Sequence, residues 1–100
     1  MALTQISTQG IKDGTITGSD LATNVDLVDD QKIRFGTGND LKIYHGGTNS
    51  IIQNSTGDLY FKNTNNLFIQ VNDTEAAIYA RPNGAVELYH NNSKKFETYA

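Results

Sequence analysis

Two near-copies of one short pattern constrain this chain most. Leu41-Lys42-Ile43-Tyr44-His45 and Val86-Glu87-Leu88-Tyr89-His90 stand 45 positions apart. In both, an aliphatic, a charge, an aliphatic, a tyrosine and a histidine follow in the same order. Alternation with period two belongs to a strand with two different faces, not to a helix. Turn residues bracket both copies: Gly38-Asn39 and Gly46-Gly47 around the first, Pro82-Asn83-Gly84 and Asn91-Asn92 around the second. A shorter echo, Gly57-Asp58-Leu59-Tyr60-Phe61, starts the same way. A chain that reuses one small strand between tight turns is built from hairpins.

Composition agrees with that reading. Eleven Asn and nine Gly suit turns and positive φ, and eleven Thr suit strands, against a single Pro and few strong helix formers. Strands are expected near 32–36, 41–45, 50–54, 58–62, 67–71, 75–80, 85–90 and 94–98, with Gly/Asn/Ser-rich connectors between them. The fold class expected is therefore all-β, made of short antiparallel strands and hairpins. Alternation proposes one inward face: Ile33, Phe35, Leu41, Ile43, Leu59, Phe61, Leu67, Ile69, Val71, Ile78, Val86, Leu88 and Phe96. Lys42, Tyr44, Tyr60, Lys62, Phe68, Gln70, Glu87 and Tyr89 then face the other way, a polar surface with aromatics set in it. One hundred residues allow one domain at most. That core is thin for a chain acting alone, so burial against neighbouring copies is the expected supplement.

The first 28 residues are of a different kind. Ile6, Ile11, Ile16 and Leu21 recur every five positions, which fits neither strand nor helix, and Gly10, Gly14 and Gly18 interrupt them. Such a segment cannot bury these side chains against itself. Two readings stay open: an extended arm that lays them into pockets on another protein, or an unstructured tail. Ser19 would N-cap a single helical turn through Ala22. The division expected is an arm over 1–28 and a β-rich region over 29–100.

Several function classes lose support at this stage. The net charge of −3 and scattered lysines and arginines do not make a nucleic-acid-binding face. No cysteine is present to form a disulfide, a thiolate metal site or a cysteine nucleophile. No apolar run approaches the roughly 20 residues that cross a bilayer, so no membrane insertion is expected. The N-terminus lacks a signal-peptide pattern, so synthesis in a cytoplasm is expected. Gly36-Thr37-Gly38 and Gly46-Gly47 precede neither a helix nor a Gly-Lys-Ser/Thr run and are hairpin glycines. No Gly-x-Ser-x-Gly elbow occurs. The chain does not read as an enzyme, and no catalytic residue or cofactor is assigned.

The stretch Ile33-Arg34-Phe35-Gly36-Thr37-Gly38-Asn39-Asp40-Leu41-Lys42-Ile43-Tyr44-His45-Gly46-Gly47-Thr48-Asn49-Ser50 resembles a repeat of tail-fibre and related virion proteins of tailed bacteriophages, especially phages of marine cyanobacteria. Thr56-Gly57-Asp58-Leu59-Tyr60 and Asn83-Gly84-Ala85-Val86-Glu87-Leu88-Tyr89-His90-Asn91-Asn92-Ser93-Lys94-Lys95-Phe96-Glu97-Thr98 are similar to it too. Ile11-Lys12-Asp13-Gly14-Thr15-Ile16-Thr17-Gly18-Ser19-Asp20-Leu21-Ala22 resembles the virion-attached N-terminal part of such proteins. The likeness covers nearly the whole chain and rests on the order of its words more than on any one of them. The family often carries Asp where Gly46 stands, and its fibres commonly run on beyond a point like Ala100 into a receptor-binding tip.

The resemblance implies a homotrimeric, β-rich tail fibre or tail appendage located in the virion. Its partners would be its own copies and other tail or capsid proteins. The arm would dock on the particle through Ile6, Ile11, Ile16 and Leu21. Two other functions fit the same residues: a carbohydrate-binding module that takes host surface glycan on Tyr44, Tyr60 and Tyr89, or a capsid decoration protein. His45 and His90 would meet their symmetry mates if they lay on a trimer axis, where imidazoles bind metals. Neither has a paired histidine beside it, so each is read as a hydrogen-bonded strand-end residue and no metal site is assigned. Asp40 and Asp58 stand where turn-capping carboxylates stand.

Overall fold

The computed structural model of the chain describes residues 14–100. Among the described residues the regular structure is a 3₁₀ turn, Gly18–Asp20, followed by seven strands. These are β1 (Ile33–Phe35), β2 (Leu41–His45), β3 (Ser50–Asn54), β4 (Leu67–Val71), β5 (Glu75–Ala80), β6 (Val86–His90) and β7 (Ser93–Glu97). They form two antiparallel meanders, β1-β2-β3 and β4-β5-β6-β7. The chain divides into two compact units at Asp58/Leu59, with one sheet in each. The protein is all-β, and no described residue is in an α-helix.

Connector chemistry explains the meanders. Asn91 and Asn92 form a two-residue loop between paired His90 and Ser93, with φ of 51° and 63°. Positive φ at both central positions is what a type I′ hairpin turn needs, and asparagine tolerates it. Pro82 presets the next turn and Asn83 holds φ of 53°, while the Gly84 N–H donates to the Arg81 carbonyl at 3.2 Å. That is a type II turn with asparagine in place of the usual glycine. In the first unit Gly47 takes φ of 91°, and the Gly46 N–H donates to the Asn49 carbonyl at 2.8 Å, closing the β2–β3 loop.

The repeat seen in the sequence is a repeat of structure. In the first sheet Ile33 pairs with Ile43, which pairs with Ile52. In the second, Ile78 pairs with Leu88, which pairs with Phe96. Phe35 opposite Leu41 becomes Ala80 opposite Val86. Each of these residues of β1 and β2 therefore recurs 45 positions later in β5 and β6. The histidines mark the mouth of the next hairpin in both copies, His45 opposite Ser50 and His90 opposite Ser93. The unit repeated is a three-stranded meander, to which the second copy adds β4.

Three expectations need correction. The strand expected over 58–62 does not form; this segment lies outside both sheets. Gly57 turns the backbone with φ of 69°, and the Asn54 side chain donates to its carbonyl at 3.0 Å. Beyond the segment, Asn63 Nδ2 donates to the carbonyls of Asn65 (3.2 Å) and Asn66 (2.8 Å). The 63–65 loop shares a recess with Leu67, Ala80, Arg81 and Pro82 at the end of the β4–β5 pair. Among the described residues no strand pairs with the outer side of β4.

The N-cap residue is Thr17 and not Ser19. The Asp20 carboxylate accepts from the Thr17 N–H (2.8 Å) and hydroxyl (3.0 Å), which sets the turn two residues earlier than expected. Those two bonds, the backbone one foremost, hold the Asp20 carboxyl below its ordinary pKa.

The third correction concerns the core. The aliphatic residues do share one face of each sheet, as alternation required, but that face is not buried within the chain. Ile33, Phe35, Ile43, Leu67, Ile69, Val71, Val86, Leu88 and Phe96 are all exposed. Leu59 and Phe61 are exposed too, outside the sheets. Among the described residues only Ala76 and Glu87 are buried, each 6% exposed. A single-layer meander has no second layer to cover its apolar side.

Candidate functional site

The densest chemistry lies on the polar face of the second sheet. Register places Phe68, Tyr79 and Glu87 side by side across β4, β5 and β6, with Glu97 following on β7. A bulge between Leu88 and Tyr89 sets Tyr89 opposite Lys94 on that same side. The Phe68 and Tyr79 rings lie 4.3 Å apart, and Tyr79 and Tyr89 lie 5.1 Å apart, both pairs tilted. Such tilted rings interact favourably beyond their shared burial.

Glu87 sits at the end of that aromatic row. Its Oε1 accepts from Arg81 Nε at 2.8 Å, and its Oε2 accepts from the Tyr89 hydroxyl at 3.0 Å. Lys94 Nζ stands 3.6 Å from Oε2 and donates to Glu97 Oε2 at 2.9 Å. The Tyr99 hydroxyl closes the chain by donating to Glu97 Oε1 at 3.1 Å. Arg81 foremost, then Tyr89, holds the Glu87 carboxyl below its ordinary pKa. The bond to Glu87 in turn raises Arg81. Burial, and then the bond to Glu87, pushes the Tyr89 phenol up. Lys94 and then Tyr99 lower Glu97. This is a satisfied ionic network. It anchors the Pro82 turn and the last strand to one buried carboxylate, and it aims no unused group at a ligand. No buried side-chain polar atom lacks a partner among the described residues.

The residues singled out in the sequence lie in separate places. Tyr44 is half-buried in β2, with Lys32 Nζ 4.4 Å from its ring centroid. Tyr89 is half-buried and bonded to Glu87, whereas Tyr60 is 72% exposed, with Lys62 Nζ 5.8 Å from its centroid. His45 Nδ1 is 2.9 Å from Ser50 Oγ across the mouth of the β2–β3 hairpin. Among the described residues no three histidine, aspartate or glutamate side chains gather as a group able to hold a metal. Of the expected docking residues, Ile16 and Leu21 are exposed, and Ile6 and Ile11 lie outside the described residues.

Sequence reasoning treated Glu87 as one more outward charge. Its position two residues before Tyr89 and six after Arg81 was the available signal. Only the hairpin register brings those three together.

The remaining surface of note is aliphatic. On the second sheet, Leu67, Ile69, Val86, Leu88 and Phe96 form an exposed apolar side opposite the Glu87 network. On the first, Ile33, Phe35, Ile43 and Ile52 do the same. Contiguous apolar surface of this kind is uncommon on soluble monomers. No helix among the described residues is long and apolar enough to cross a membrane. The chain matches no protein-family model, no curated protein and no solved structure.

Proposed function

We propose that this chain is a structural virion protein, a subunit of a homotrimeric phage tail fibre or tail appendage. The observation that carries the proposal is the pair of single-layer meanders, each with a bare aliphatic side. A repeated unit that cannot cover its own apolar face gains stability by stacking on other copies of itself. Covering the five half-exposed side chains of the second sheet would contribute on the order of 4–8 kcal/mol per chain, at about half the value of full burial for each. The order of the fibre-like words along the sequence supports the same reading.

The mechanism is assembly and presentation. The two meanders form the shaft, and the first 28 residues attach it to the particle. The polar faces, stiffened in the second unit by the Glu87 network, turn to solvent. Host attachment then follows from what the fibre carries, with no chemical step in this chain. Solution mass by light scattering tests the reading. The expected species has about three times the 11.0 kDa chain mass. A monomer at micromolar concentration overturns the proposal.

A further inference from the structure

The four-stranded sheet has two edges, and they differ. The β7 edge is Ser93-Lys94-Lys95-Phe96-Glu97, with two lysines and a bulge. Charge and bulges are the usual means of keeping a foreign strand off an edge. The β4 edge is Leu67-Phe68-Ile69-Gln70-Val71, five exposed residues with no charge, no proline and, among the described residues, no strand on its outer side. Such an edge is a template for one more strand.

The chain also carries a strand-like sequence that belongs to neither sheet. Leu59-Tyr60-Phe61-Lys62 alternates and is rich in strand formers, yet it lies outside both sheets. Leu59 is 45% and Phe61 68% exposed. Within the chain this segment pairs with neither edge of its own sheet, although only residues 63–66 separate it from β4.

We infer that residues 59–62 of one copy add to the outer edge of β4 in a second copy of this chain. The two faces match. With Tyr60 opposite Phe68, the tyrosine joins the Phe68–Tyr79–Tyr89 row. Leu59 and Phe61 then extend the Leu67, Ile69 aliphatic side, in either strand direction. Main-chain hydrogen bonds supply affinity and the alternating side chains supply register, as in β-strand addition generally. The β3 edge is also uncharged, but its face of Ser50, Ile52 and Asn54 offers only one aliphatic partner. The inference rests on the self-assembly reading above and specifies one contact within it.

The chain has no cysteine, so introduced thiols report cleanly. Directly opposed residues on neighbouring strands lie close enough for a disulfide in the narrower pairs. The full-length Tyr60→Cys/Phe68→Cys variant, first shown by light scattering to keep the parent mass, is oxidised and run denatured without reductant. Covalent dimers and trimers are expected, and neither single variant should give a chain joining 60 to 68. Since Phe68 packs on Tyr79, a second set uses Leu59→Cys with Ile69→Cys or with Leu67→Cys, which are opposed in the antiparallel and parallel arrangements. An internal disulfide at monomer mass overturns the inference, as does crosslinking of Tyr60→Cys to Ile51→Cys in its place. Oligomers of parent mass that form no bond in any pair remove the edge contact and leave the assembly reading standing. A parent protein that is monomeric removes both.

Discussion

Asn92 ties the last hairpin to the middle of its sheet, and removing its side chain has a calculable effect. Its Oδ1 accepts the backbone N–H of Ala76 at 3.0 Å. Ala76 is 6% exposed and stands at the irregularity where β5 slips one residue against β4, and in the fold its N–H relies on this side-chain acceptor. Leaving a buried donor unsatisfied costs about 1–3 kcal/mol. Asn92 also holds φ of 63°, where a residue with a Cβ other than Asn or Asp loses roughly 1 kcal/mol or more. Asn92→Ala should therefore destabilise by about 2–4 kcal/mol. Asn92→Gly keeps the backbone geometry and should lose only the hydrogen-bond part, about 1–3 kcal/mol. Asn92→Asp keeps both acceptor and turn and should stay within about 0.5 kcal/mol of the parent. Urea denaturation at one fixed chain concentration reads all three. With slopes of ~1–3 kcal/mol per molar, the alanine midpoint falls by roughly 1 M or more. If alanine and glycine both match the parent, the side chain does not hold β5. If glycine is as damaging as alanine, the backbone conformation contributes nothing.

The Glu87 network makes stability depend on pH in a defined direction. Arg81 and Tyr89 lower the Glu87 carboxyl and Lys94 lowers Glu97, so their contribution is fully present above the ordinary carboxylate pKa of 4.5. It is lost as pH falls through the depressed folded values, because the unfolded chain binds those protons first. Glu87→Gln should flatten the urea midpoint between pH 3 and 5, and an unchanged slope would show that the network is not linked to folding. Leu88→Asp sits at a 42%-exposed position. It should leave the far-ultraviolet circular dichroism of the chain intact while raising the oligomer dissociation constant at least tenfold, since a covered carboxylate would lack partners. Full assembly of that variant would place the contact elsewhere. Deleting residues 1–28 should leave oligomers by light scattering but abolish incorporation into particles. Incorporation of the deleted protein would remove the docking arm.

Much of the fold was legible because strand and turn chemistry is local. The turn glycines, the type I′ Asn91-Asn92 pair and the two-residue alternation placed seven strands to within a residue or two, and the 45-residue repeat announced one meander used twice. The 58–62 segment escaped for a non-local reason. Its alternation is as good as that of β2, but a strand exists only where a partner edge is presented. The 63–66 loop is closed on itself by the Asn63 side chain, and residues 58–62 pair with neither sheet. Sequence could not show which face would be covered, because alternation sorts side chains onto two faces without saying what lies against either. The tertiary structure decided that the aliphatic side stays open within one chain, while hairpin register gathers Arg81, Glu87, Tyr89 and Lys94 on the other. By itself the sequence determined hairpins, their spacing and their two-sidedness. Only the folded sheets decided that the buried centre is a carboxylate and that the oily side faces outward, because both depend on which strands become neighbours.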